Sequence, residues 1–121
     1  VSSSRCASCA AVIEGMAIAL DAARAGATCE AVEAAFRAFT EPRGALKSSR
    51  IGYAIGNGWG ERTASFKPGD STVLRPNTTF HLMLGYWYHD WGFVLSETLC
   101  ITESGPPETF STMPRELFIN H

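Results

Sequence analysis

The spacing of apolar residues changes once along the chain, near residue 44, and that change limits the folds open to it. Before it, Val12, Ile13, Met16, Ala17 and Leu20 recur three and four residues apart. That spacing predicts a helix from about Ser4 to Ala25 with one apolar stripe, and the abundant alanine favours it further. Gly26 is the expected stop. Thr28 then caps a second helix, with Glu30 in its first turn where the helix dipole favours an acid. Val32, Phe36 and Phe39 are expected to line the inner face of that helix. The stretch "TEPRG" at 40–44 ends it, because Pro42 disfavours helical backbone at Glu41 and Gly44 permits a turn.

After this point the pattern is that of strands. The turn signals "KPGD" (67–70) and "RPN" (75–77) bound stretches rich in aromatic and β-branched residues, above all "TTFHLMLGYWYHDWGFVLSETLCIT". Strands are expected near 50–55, 79–88, 91–101 and 108–112. Two helices followed by a run of antiparallel strands give an α+β layer, with both helices on one face of a curved sheet. A chain of 121 residues makes this a single domain, 1–121.

Composition removes several classes of function. Ten basic residues against twelve acidic ones leave a net charge of −2 and no basic field for nucleic acid. No apolar run reaches the length of a membrane span, and Glu14 interrupts the apolar start. Cys6 and Cys9 form a C-x-x-C, but no strand precedes it as a redox motif requires, and Cys29 and Cys100 supply no second close pair for zinc. The four thiols are expected to be small buried side chains in a reducing, cytoplasmic compartment. "YWYHDW" reads first as core packing or a subunit interface and second as a substrate lining, with His89 and Asp90 at a hairpin tip.

The stretch "RIGYAIGNGWGERTAS" (50–65) holds Gly52, Gly56, Gly58 and Gly60 with few catalytic groups. Such backbone freedom suits either a bend that makes room for Trp59 or a strand that approaches a ligand closely. In the second case Tyr53 offers a phenol able to donate to a developing oxyanion, and Glu61 offers a carboxylate.

The motifs as a set resemble the pita-bread hydrolases, the superfamily of creatinase, prolidase and related aminopeptidases. "AARAGATCEAVEAAFRAF" is similar to the family's helix–"PG-x-T"–helix passage. "GYAIG" (52–56) resembles its G-H-G-x-G strand, and "LRPNTTFHLMLG" (74–85) its L-x-P-G-x-x-F-x-x-E-P-G turn and strand. "GFVLSETLCITESG" (92–105) resembles its G-x-R-x-E-D-T-x-x-V-T-x-x-G hairpin. Within the superfamily, "SSRIGYAIG", "WGERTAS", "TTFHLMLGYWYHDWG" and "PRELF" look most like the ectoine hydrolase branch, whose members are often labelled Xaa-Pro dipeptidase.

The resemblance implies the second half of a two-lobed catalytic domain. It also shows departures. Metal-dependent members hold two divalent ions with two aspartates, a histidine and two glutamates. Tyr53 stands at the histidine position, Met83 at the first glutamate and Ser96 at the second, and the two aspartates belong to an earlier part of the fold. Neither thioether nor hydroxyl replaces a carboxylate as a hard-cation ligand, so neither metal nor other cofactor is expected. The ectoine hydrolase branch also lacks the metal set.

Half of such a fold exposes sheet surface that is otherwise buried. The expected partners are a second copy of the chain or a separate first-half chain, the remaining outcome being an aggregation-prone truncation. His81 and Met83 alternate onto one face of their strand, so His81 is a candidate base or substrate ligand. Glu97 should point to the other face, where a buried ion pair or an exposed charge is its default role, yet it matches the glutamate of the branch's "I-S-E". The catalytic candidates are therefore Tyr53, Glu61, His81 and Glu97, and the substrate-binding candidates are Trp59, Met83, Trp87 and Ser96. Two functions compete: hydrolysis of a C–N bond in a small amino-acid-like molecule or dipeptide, or a noncatalytic half-fold that dimerises or binds a small molecule.

Overall fold

A computed structural model describes residues 3–45, 47, 49–55 and 64–116. Helix α1 (Ser3–Ala22) packs on α2 (Cys29–Thr40), which ends in a 3-10 turn over Glu41–Arg43. Among the described residues five strands follow: β1 (Gly52–Ile55), β2 (Ser65–Phe66), β3 (Thr79–Trp87), β4 (Gly92–Cys100) and β5 (Glu108–Thr109). They form one sheet in the order β2-β1-β3-β4-β5, and every neighbouring pair is antiparallel.

The expected caps are present. Thr28 Oγ1 accepts the Ala31 N–H at 3.2 Å, and Gly44 closes the turn after Pro42 with φ +79°. The end of α1 differs from expectation. The helix stops at Ala22, because the link after it is used in tertiary pairing. The Gly26 N–H donates to the Leu74 carbonyl at 2.9 Å and Leu74 N–H donates to Ala27 at 2.8 Å. The short strand β2 has no counterpart among the expected strands; two residues cannot show an alternation.

Side-chain burial corrects three further expectations. Ala17 is exposed, and α1 instead buries Cys9, Ala11, Val12, Met16, Ala19 and Leu20. Phe39 is only half-buried on the flank of α2, where the Arg43 guanidinium lies 3.8 Å from its ring centroid. Glu33 and Thr40 are buried in its stead. The Glu33 carboxylate meets Arg37 at 3.3 Å, and burial pushes its pKa up. Third, only Cys9 and Cys29 are buried, while Cys6 and Cys100 are half-exposed; all four are free thiols. Burial, with Asp70 nearby, pushes the Cys29 thiol up to about 11, which makes it unreactive.

The core lies between the helices and one sheet face. Val12, Met16, Val32 and Phe36 meet Phe66, Phe80, Leu82, Leu84 and Leu99 there. Phe66 and Phe80 stack at 4.7 Å between centroids. At the β3–β4 hairpin end the core continues as an aromatic stack: Tyr86–Phe93 at 5.4 Å, Tyr88–Trp91 at 4.5 Å and Trp91–Phe93 at 5.6 Å. Arg5 of α1 covers Trp91 at 5.1 Å and pairs with Asp90 at 3.2 Å. This part of "YWYHDW" is packing, and His89 and Asp90 are exposed beside the turn. Burial pushes the Tyr86 phenol up to about 12. Among the described residues no helix is long and apolar enough to cross a membrane.

Gly52 sits where β1 is pressed between β2 and β3. It pairs with Phe66 on one side and Leu82 on the other. A Cβ at this position would lie 2.6 Å from the His81 carbonyl oxygen and 2.8 Å from Phe66 Cδ2. The carbonyl belongs to a paired strand and has little room to move. Gly52→Ala is therefore expected to cost about 1–3 kcal/mol of stability, as over-packing does. The midpoint of urea unfolding checks this; an unchanged midpoint would mean that β1 can shift freely.

Candidate active site

One sheet face carries the helices. Strand alternation puts every second side chain on the other face. Register then assembles a row of polar groups across four strands. Tyr53 lies opposite Ser65 of β2 and opposite His81 of β3, and His81 lies opposite Thr98 of β4. The rings of Tyr53 and His81 meet at 5.7 Å between centroids and 53° between planes. His81 Nδ1 is 3.1 Å from Thr98 Oγ1. A hydroxyl both donates and accepts, so Thr98 serves either tautomer of the neutral ring.

Arg50, just before β1, joins the row from the sheet's β2 side. Its guanidinium carbon stands 4.5 Å from the Tyr53 ring centroid, and its Nη1 donates to Ser65 Oγ at 3.0 Å. Two residues along β3 from His81, Met83 is paired with Ser96. Met83 is half-buried and Ser96 exposed. Trp87 is on the same face but further along, with its ring folded over Gly85 and 71% of its surface exposed. Lys47 closes this end of the sheet, donating to the Gly85 carbonyl at 2.8 Å and to Ser49 Oγ at 2.9 Å. Burial lowers its pKa.

The structure thus brings Tyr53, His81, Met83 and Ser96 to one surface and leaves Trp87 at its margin. It places Glu97 elsewhere. Glu97 is paired with Leu82 and points to the helix side, as strand alternation requires. Its Oε1 meets Arg115 Nη1 at 3.1 Å, while Oε2 is buried without a hydrogen-bond partner. That is the buried ion pair of its default reading, and it ties the C-terminal segment beneath the sheet. Glu61 and Trp59, with Gly56, Gly58 and Gly60, lie outside the described residues.

Arg50, Ser65 and Thr98 were not among the residues picked out from sequence. Thr98 could have been found by stepping two residues from Ser96. Arg50 precedes the strand, so alternation says nothing about it, and Ser65 sits in a strand too short to read. A cleft of about 680 Å³ opens between the end of β1 and residues 72–79, lined by Ala54, Ile55, Val73, Arg75 and Phe80 among others. It includes none of Tyr53, His81 or Met83. Among the described residues no group of three or more His, Cys, Asp or Glu side chains is placed to hold a metal ion.

The sequence model of metallopeptidase family M24 matches residues 5–103. The chain belongs to this family. Among curated family relatives, it is 51% identical over 106 residues to the uncharacterized hydrolase/peptidase y4tL of Sinorhizobium fredii, covering 87% of this chain and 27% of the relative. It is 40% identical over 114 residues to the ectoine hydrolase of Halomonas elongata, covering 90% of this chain and 28% of that enzyme. In three dimensions it is similar to the dipeptidase PepE from Mycobacterium ulcerans, with a TM-score of 0.87 and 25% identity. That match covers 96% of this chain and 32% of PepE. The X-Pro aminopeptidase of Thermotoga maritima gives a TM-score of 0.81 at 25% identity, over 91% of this chain and 32% of that one. The chain therefore spans about a third or less of the length of the family members it matches. The expected half pita-bread architecture agrees with these neighbours.

Burial holds the His81 imidazole below its ordinary value of 6.5. The folded protein takes up this proton at lower pH than the unfolded chain. The stability linked to the neutral ring is then present above about 6.5 and is lost as pH falls through the folded value. An NMR titration of the His81 ring protons is expected to give a midpoint below 6.5, and His81→Asn to flatten the slope of stability against pH in that window. A midpoint at or above 6.5 would contradict the burial argument.

Proposed function

We propose that the chain supplies the substrate-facing sheet of a hydrolase that cleaves a C–N bond in a small amino-acid-like molecule, an Xaa-Pro dipeptide or an ectoine-like cyclic amidine. The observation that carries this reading is the Tyr53–His81–Thr98 row, a phenol and a neutral imidazole in contact on the helix-free face. In the tautomer that donates Nδ1–H to Thr98, the imidazole carries its acceptor lone pair on Nε2 and can take a proton from an attacking water. On a dipeptide the Tyr53 phenol can donate to the oxyanion that forms as water adds to the carbonyl carbon. On an amidine its acceptor oxygen or hydroxyl faces the ring nitrogen instead. In both, the proton taken up by the imidazole passes to the nitrogen that leaves as the C–N bond breaks. Glu61 is the candidate for a carboxylate beside them. Glu97 enters this reading only as a brace for the sheet.

The family name implies metal, and the residues at the matching positions do not fit it. Tyr53, Met83 and Ser96 offer a phenol, a thioether and a hydroxyl where a hard divalent cation needs carboxylates. No step is assigned to a metal. The family's other lobe is to be supplied by further polypeptide: the rest of a longer protein, a separate chain or a second copy.

The second reading, a noncatalytic binding or dimerising module, is favoured by one observation. Trp87, Val94 and Phe110 are 71%, 54% and 59% exposed. Register puts Val94 opposite Gly85 and Phe110 one step beyond the Leu99–Thr109 pair, on the same face as Thr98. A face of this kind suits a macromolecular neighbour as well as a substrate.

Substitution separates the two. In a preparation that turns over ectoine or Xaa-Pro dipeptides, Tyr53→Phe is expected to lower kcat by about 10²–10³-fold. His81→Gln is expected to lower it by about 10²–10⁴-fold. Circular dichroism should show both variants folded. Unchanged turnover in both variants would remove the row from the reaction and leave the binding module.

A further inference from the structure

Arg50 has a role that hydrolysis at the row does not use. It makes no ion pair with any described residue, although Arg5, Arg24, Arg37 and Arg115 all do. Its residue is exposed, yet its guanidinium is held from two directions by the Tyr53 ring at 4.5 Å and the Ser65 hydroxyl at 3.0 Å. Ser65 is fixed in its turn, since its backbone N–H donates to Asp70 Oδ2 at 2.8 Å. The carboxylate of Asp70 also accepts the Thr72 N–H at 3.0 Å and is thus engaged by the backbone. The cross-strand row itself, Ser65, Tyr53, His81 and Thr98, contains no carboxylate.

A guanidinium has five donors in a rigid planar fork, and this one spends a single donor on Ser65. Long arginine side chains ordinarily lose much rotamer freedom when they bind an anion. One already stacked and hydrogen-bonded loses less. We infer that Arg50 is a specificity residue that binds the carboxylate of the ligand and so orients its C–N bond over Tyr53 and His81. The ligand class is then a small molecule with a free carboxylate close to the scissile bond, the free C-terminus of a dipeptide or the ring carboxylate of an ectoine-like compound. This inference rests on the reading of the helix-free face as the ligand-facing one.

The test uses a preparation of the chain that turns over ectoine or Xaa-Pro dipeptides, and two probes that differ only at the carboxyl group, N-acetylproline and N-acetylprolinamide. Side-chain NMR follows the Arg50 Nε–H, the His81 ring and the Tyr53 ring during titration, at fixed ionic strength. The acid is expected to bind at least about tenfold more tightly than the amide, the ratio that one charge-assisted bidentate contact supplies. Arg50→Gln should bring that ratio to near one, with the larger loss of affinity falling on the acid. Arg50→Lys, which keeps the charge and loses the fork, should keep part of it. Equal binding of acid and amide at shifted Tyr53 and His81 signals would overturn the role of Arg50 and leave the site standing. No shift at Tyr53 or His81 with either probe would overturn both. An acid preference that survives in Arg50→Gln would assign the carboxylate to another group and also overturn the inference.

Discussion

The register of the β3–β4 hairpin is the constraint on which the rest depends. Nine residue pairs run from Thr79 opposite Cys100 to Trp87 opposite Gly92. A slip of one residue along either strand would swap its faces. Leu82 and Leu84 would turn away from the helices, and His81 and Met83 would turn into the core. The polar row is therefore held by the burial of Phe80, Leu82, Leu84 and Leu99 rather than by its own contacts. Burying such side chains is worth about 1.5–3 kcal/mol each, above the roughly 1 kcal/mol net of a single part-buried hydrogen bond such as that of His81 to Thr98.

The remaining elements are attached to this hairpin by a few specific ties. β1 adds to β3 at close range through Gly52, and in doing so sets Tyr53 against His81. Asp70 links the β2 turn to the start of α2: its carboxylate accepts Ser65 and Thr72 N–H groups, and its carbonyl accepts the Glu30 N–H at 2.8 Å. Those hydrogen bonds outweigh the effect of burial and hold the Asp70 carboxyl below its usual range. The Glu97–Arg115 pair fastens Arg115 on the helix side, while on the other face Tyr53 and Ser65 are themselves buried. The apolar core thus lies on one face of the sheet and the polar row on the other.

Much of the fold was legible in the sequence, for identifiable reasons. The caps at Thr28 and Gly44 are local, and the aromatic and β-branched runs are long enough to place β3 and β4 within a residue or two. The alternation that paired His81 with Met83, and set Glu97 on the opposite face, is a property of any strand and held. What could not be read depends on partners distant in sequence. The end of α1 is decided by Leu74, the half-exposure of Phe39 by Arg43, and β2 by its pairing with β1. Arg50 is the clearest instance. Nothing in "SSRIGYAIG" says that its guanidinium will lie on the ring three residues later.

The central claim is that the helix-free face around Tyr53 and His81 is where a ligand binds. Histidine-selective carbethoxylation tests it directly, because the exposed hairpin residue His89 serves as an internal reference. With saturating glycyl-proline present, modification of His81 should slow several-fold while that of His89 proceeds at its original rate. Equal rates at His81 with and without the dipeptide, or equal slowing at both histidines, would contradict the account.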